Sequence, residues 1–186
     1  MKIEAIKKIE FNNYIAESAY ACNRYGIDKL KPDRNDTIAM LSFKEKVHDG
    51  WKECQNICIK VMCIIDDLKK QNHKILCNHP NDKSIKGEYR SISKELNFQE
   101  GVIRSFIESI IWSIFDLKEY NLKRFCIREE FPSFNKLTLL QHLKFVDDIN
   151  SRPGELAILT DLSKSFHVGD VIIVDNVKHP GGITIL

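Results

Sequence analysis

The sequence predicts a mainly α-helical fold, a helical bundle followed by a small C-terminal β-hairpin or partial sheet, α+β in class. Three observations carry this. Apolar residues recur at helical spacing through most of the chain before residue 150. The run Asn150-Ser151-Arg152-Pro153-Gly154 then breaks the pattern more sharply than any other stretch. Beyond it the apolar residues turn β-branched and close-set, as in FHVGDVIIV over residues 166–174. A helical bundle domain over 1–150 is therefore expected, with a β-element over 151–186 that is either its appendage or the start of a truncated second domain.

Size and charge bound the rest. With 186 residues, 43% hydrophobic and 29% charged, the chain can bury a sizeable core and is not of disordered composition. Lys and Arg number 28 against 26 Asp and Glu, a net charge of +2, so only a local patch could attract nucleic acid. Lys2, Lys7 and Lys8 interrupt any secretory segment. The six cysteines lie largely on apolar helical faces and read as reduced thiols, which together predicts a cytoplasmic protein with no membrane partner. Abundant Lys, Ile and Asn suit an AT-rich, bacterial genome.

A first helix is expected over 2–24, from Ile3, Ile6, Ile9, Tyr14, Ile15, Ala19 and Cys22, with Gly26 ending it. A loop over 27–35 contains Pro32, and Asp36 or Thr37 can cap the second helical region. Residues 38–72 read as helix, with Asp49-Gly50 as a candidate break. Val47, Trp51, Cys54, Cys58, Val61, Ile65 and Leu68 form its stripe. A loop over 73–86 is followed by a short helix over 88–96. The most apolar stretch, GVIRSFIESIIWSIFDL over 101–117, is the central core helix, with Asn97 and Glu100 in a capping-box pattern before it. One face is too polar, and the run too short, to span a membrane. Residues 122–130 can be strand or helix, with helix favoured, and Pro132 breaks them. A helix over 135–149 is expected to turn Leu137, Leu140, Leu143, Phe145 and Val146 inward. Short strands are expected at 156–159 and 166–174, then a Pro180-Gly181-Gly182 turn and a last strand over 183–186. The chain stops on that apolar strand without a polar tail, which is the pattern of a chain cut within a sheet.

The most suggestive chemistry is Gly169-Asp170, an aliphatic strand to Asp175, a turn, and a second apolar strand. This resembles the front half of the restriction-endonuclease-like superfamily, in which an Asp after Pro or Gly precedes a strand pair ending in Glu-x-Lys or Asp-x-Lys. The resemblance implies that Asp170 is the first metal-binding and catalytic Asp, with Asp175 a second metal ligand. It implies Mg²⁺ as cofactor if a Glu-x-Lys follows the chain end, because two carboxylates and several waters suit that hard cation. The triplet would come next after Leu186, so a chain ending there is expected not to cut DNA. Lys123, Arg124 and Arg128, with Tyr120 and Phe125 among them, are the candidate phosphate contacts, against a solvated face paired with Glu119 and Glu129.

Other signals point to structure more than chemistry. Cys54, Cys58, Cys77 and His79 could be assembled into a zinc site, yet the first two share an apolar stripe, where a free cysteine is ordinary core material. His48, His73, His142, His167 and His179 fall in loops or polar helix faces, away from any nucleophile with an orienting acid. No Arg is followed by His at four to six residues, which argues against a toxin-type ribonuclease. Trp112 lies on the polar side of the central helix, as a partner contact or packed under a loop, with packing favoured. Two functions remain as expectations. The first is the N-terminal helical part of a metal-dependent nuclease-like protein acting on nucleic acid. The second is a non-catalytic module that binds another protein or self-associates.

Overall fold

The computed structural model describes residues 4–23, 32–33, 35–79, 81–115, 134, 136–166, 170–175 and 182–186. Among them are four helices and a three-stranded sheet: α1 (Lys8–Asn23), α2 (Thr37–Asn78), α3 (Lys83–Ile114), α4 (Lys136–Asn150), β1 (Glu155–Leu159), β2 (Val171–Asp175) and β3 (Gly182–Ile185). A 3₁₀ turn, Thr160–Leu162, follows β1. The fold is thus mainly helical with a small C-terminal sheet, as the change of period at residue 150 predicts. No described helix is long and apolar enough to cross a membrane.

Two long helices form the frame. Asp36 starts α2 by accepting from the Ala39 N–H at 3.0 Å. Asp82 starts α3 by accepting from the N–H groups of Ser84 (2.9 Å) and Ile85 (3.1 Å). At ~1.5 Å per residue these rods run about 63 and 48 Å. Only residues 79–82 join them, so they pack antiparallel: Asn72 meets Tyr89, Lys69 meets Glu100, and Cys58 meets Ile103.

Several local signals lost to this packing. Asp49-Gly50 does not break α2; Gly50 is buried in the helix, where glycine costs about 1 kcal/mol against alanine and the long stripe outweighs it. The loop expected over 73–86 shrinks to four residues, because helix continues to Asn78. Asn97 caps nothing: Leu96, Gln99 and Ile103 carry one buried stripe straight through it, and the two helices expected there are one. In α1 the helix begins only at Lys8, while buried Ile6 precedes it and its carbonyl accepts from Gln99 Nε2 at 2.9 Å.

The sheet is an antiparallel meander in the order β1-β2-β3. Leu159 pairs with Val171 and Ile172 with Ile185. Of the strand expected over 166–174, Val171 to Asp175 form β2; residues 167–169 lie outside the described residues, and Phe166 is held by Ser163 Oγ, which bonds both its N–H and its C=O (2.9 and 3.0 Å). Gly154, at φ 76°, makes the left-handed step between α4 and β1 that a side chain would resist. One hydrophobic cluster joins all of this, including Val61 and Ile65 of α2, Ile107 and Ile110 of α3, Leu156 and Ile158 of β1, and Ile172 of β2. The segment 122–130 and the Pro180-Gly181 part of the expected turn lie outside the described residues.

Polar side chains fix how the sheet meets the bundle. β1 is an edge strand, with outward backbone groups that need partners. Gln55 of α2, fully buried, donates to the Ala157 carbonyl (3.1 Å) and accepts from the Leu159 N–H (2.8 Å). Asn150 of α4 accepts from the Ala157 N–H (2.8 Å) and donates to the same carbonyl (3.2 Å). Among the described residues, two side-chain amides therefore stand where a neighbouring strand would pair.

Candidate metal centre

The phase of α4 decides what reaches the sheet. Leu139, Val146 and Ile149 are its buried residues, whereas Leu137 and Leu140 are 73% and 50% exposed. Of the inward set expected from sequence, Val146 is buried and Leu143 packs against the core, whereas Leu137, Leu140 and Phe145 face outward. Three closely set leucines allow two helical phases, and contact with β1 selects the one through Leu139. In that phase His142 falls between Leu139 and Val146 on the inward side. Its Nδ1 is buried without a hydrogen-bond partner, and its Nε2 lies 3.7 Å from Asp170 Oδ2.

Asp170 stands immediately before β2 and is exposed. Its carbonyl accepts from the Thr160 N–H at 3.1 Å, which carries the β1–β2 ladder one step past Leu159 and Val171. Asp161 comes next, in the 3₁₀ turn. That turn is held from below by Arg104 of α3, 1% exposed, which donates from Nη1 to the carbonyls of Asp161 (2.7 Å) and Ser163 (2.9 Å) and from Nε to Glu100 Oε1 (2.8 Å). Glu100 in turn pairs with Lys69 of α2. Burial pushes the Glu100 carboxyl up, but its hydrogen bond to Lys69 and the Arg104 charge outweigh this and hold it below the usual range.

His142, Asp161 and Asp170 thus converge from a helix, a turn and a strand head, with one ligand atom from each within 4.8 Å of the others. Donors around a bound ion stand roughly 3 Å apart at bond lengths of ~2.1 Å, so modest side-chain rotation would complete a three-ligand site with open positions. Two carboxylates this close repel, and a cation between them removes that repulsion. The donors fit a divalent ion, with one nitrogen where the resemblance implies oxygen alone.

Asp175, the expected second ligand, is not part of this group. It sits at the far end of β2, about 17 Å away at ~3.3 Å per residue, and points to the opposite face of the sheet from Asp170. The Cys54, Cys58, Cys77 and His79 set does not assemble either. Cys58 and Cys77 lie 19 residues apart on one continuous helix, about 28 Å along its axis. Cys54 instead contacts Cys22 (Sγ–Sγ 3.6 Å); that hydrogen bond and burial push the Cys22 thiol up, whereas Cys54, lowered by the same bond, is pushed up overall by its hydrogen bond with Cys58 and by burial. Trp112 is half-buried against the core and donates from Nε1 to Glu108 at 3.3 Å. Lys123, Arg124, Arg128, His167 and His179 lie outside the described residues.

Sequence reasoning missed His142 and Asp161. The signal for His142 was its place in the 139-142-146-149 stripe. For Asp161 it was the strand register, which no single segment displays. No family model, curated protein or solved structure matches this chain.

Proposed function

We propose that this chain is the helical part of a metal-dependent nuclease-like protein acting on nucleic acid, with its cation at the head of β2. The observation that carries the reading is the meeting of His142, Asp161 and Asp170 at that strand head. An ion there would polarise a phosphate oxygen and lower the pKa of bound water. The chain's own groups orient it: Arg104 fixes the turn bearing Asp161, and the β1–β2 ladder fixes Asp170. Val171 exchanges both backbone hydrogen bonds with Leu186 (3.2 and 3.0 Å), so a Glu-x-Lys or Asp-x-Lys triplet after Leu186 would run past Asp170. Lys123, Arg124 and Arg128 are the proposed phosphate contacts.

The test is cleavage of labelled duplex DNA and RNA with Mg²⁺ or Mn²⁺, by this chain and by the product of the uninterrupted reading frame. Ion-dependent cutting by a product carrying the triplet is expected, reduced at least ~100-fold in Asp170→Asn. A frame without the triplet, or cutting that is indifferent to Asp170→Asn, overturns the reading. A second reading, a non-catalytic interaction or oligomerisation module, is supported by Ile38 (82% exposed) and Phe98 (62%) on the long helices. Sedimentation analysis distinguishes it, since a strict monomer at high concentration would count against self-association.

A further inference from the structure

Resting on the cation-site reading above, we infer that the juxtaposition of His142 with Asp161 and Asp170 takes a first-row transition ion in preference to Mg²⁺. The argument is one of donor chemistry. Mg²⁺ prefers oxygen ligands in near-ideal octahedral geometry and keeps several waters. An imidazole nitrogen wastes a position for such an ion, yet suits cobalt, zinc, iron and manganese, whose affinity for mixed nitrogen and oxygen sites rises along that first row. The imidazole already faces the carboxylates. His142 is half-buried between the buried Leu139 and Val146 of α4, with Nδ1 buried and without a hydrogen-bond partner and Nε2 3.7 Å from Asp170 Oδ2. Three protein donors with open positions is the pattern of catalytic sites, whereas closed four-ligand sets are structural.

The site also has a consequence for the fold. His142 belongs to α4, Asp161 to the turn after β1 and Asp170 to the head of β2, so an ion held by all three ties the last helix to the sheet. Binding to the folded form alone raises the melting temperature with ion concentration.

Co²⁺ is the probe of choice. Its visible bands report nitrogen and oxygen ligation, and thiolate charge transfer in the near ultraviolet would expose capture by the free cysteines, of which Cys77 is exposed. Titration of the full chain with Co²⁺, competition with Mg²⁺ and melting curves with each ion form one experiment. The expected result is Co²⁺ affinity roughly tenfold or more above Mg²⁺, visible bands without thiolate absorption, and a rise in melting temperature with Co²⁺. His142→Gln is expected to abolish the preference, while Asp170→Asn weakens both ions; circular dichroism without ion checks that both variants fold like the parent. Equal affinity for Mg²⁺, or a preference unchanged in His142→Gln, overturns the inference and leaves the cation site standing. Absence of binding by either ion in the parent chain overturns the cation site itself.

Discussion

The α2–α3 hairpin and the sheet end of the molecule are joined to their surroundings by different physics. Along the hairpin, Val61, Ile65, Ile103, Ile107 and Ile110 are at most 1% exposed and form a largely apolar interface, with the polar links Asn72–Tyr89 and Lys69–Glu100 toward its turn. At the sheet end Gln55, Arg104 and Asn150 reach across to backbone groups of β1 and its turn. Apolar burial is strong but non-directional, so it fixes that two elements pack and only loosely how. Hydrogen bonds from buried side chains fix register. The difference matters because the candidate site depends on register: Asp161 and Asp170 meet only if β1, the 3₁₀ turn and β2 hold their places.

The largest expected effect that separates the two regions is at Arg104. Arg104→Met removes hydrogen bonds to Glu100, Asp161 and Ser163, leaving two carbonyls of the turn without their buried donor and the half-buried Glu100 with Lys69 alone, a loss of ~3–5 kcal/mol in urea denaturation. Ile107→Ala in the apolar interface costs a similar ~2–5 kcal/mol. The conservative variants part company. Ile107→Leu is expected to recover most of the loss, since volume-conserving swaps cost less than ~1.5 kcal/mol. Arg104→Lys is expected to recover less than half, because one ammonium cannot reproduce the guanidinium fork. Equal recovery in the two pairs would erase the distinction.

Acid should act next in size. Burial, with Lys52 and Lys44 adding to it against Asp49, pulls the His48 imidazole down to about 4. Its folded value is below its unfolded one, so the unfolded chain binds the extra proton and stability falls as pH drops from about 6.5 toward 4. The loss is about 3 kcal/mol. Glu100 works in the same direction: its carboxyl is held low in the fold, so its contribution is present above the ordinary carboxylate range and fades as pH falls through it. Denaturation midpoints measured between pH 7 and 4 should therefore decline steadily. His48→Gln should flatten the decline from about pH 6.5 down to about 4, leaving only the carboxylate contribution at its acid end.

The same contrast explains what could be read from the residues. Helix and core were legible because Val61, Ile65, Ile107 and Ile110 repeat at helical spacing, and the α-to-β change at Pro153-Gly154 announced itself. Helix ends were legible in part: Asp36 caps α2 and α4 keeps within a residue of its expected bounds, but Asn97 and Asp49-Gly50, sound local stop or start signals, are overruled by stripes that continue through them. The site was half legible. Asp170 stood out beside a glycine and an aliphatic strand, but Asp161 reaches it only through strand register, and His142 only through the phase of α4. Those two facts are set by tertiary packing, and neighbours in sequence do not carry them.

Gln55 is the next step down in magnitude. Gln55→Met keeps the volume but leaves the Leu159 N–H without its acceptor in a buried place, a cost of ~1–3 kcal/mol by urea denaturation. Because β1 would then be held at its Asn150 end alone, the variant should also speed amide exchange at Leu159 relative to Ile107 in α3. Uniform exchange in both places would mean that β1 is held by its apolar face, as the hairpin is.

Asn150→Ala is expected to cost least, about 1 kcal/mol, because Asn150 is only half-buried and water can replace its amide at Ala157. Its value lies in the pairing with Gln55. Both amides donate to the same Ala157 carbonyl, so either alone leaves that oxygen satisfied, and only their joint removal bares it. The double variant should therefore lose more than the sum of the singles, by ~0.5–3 kcal/mol in a double-mutant cycle. Additive losses would instead mean that each amide secures its own N–H, Leu159 for Gln55 and Ala157 for Asn150, and that the shared carbonyl contributes nothing to holding the edge.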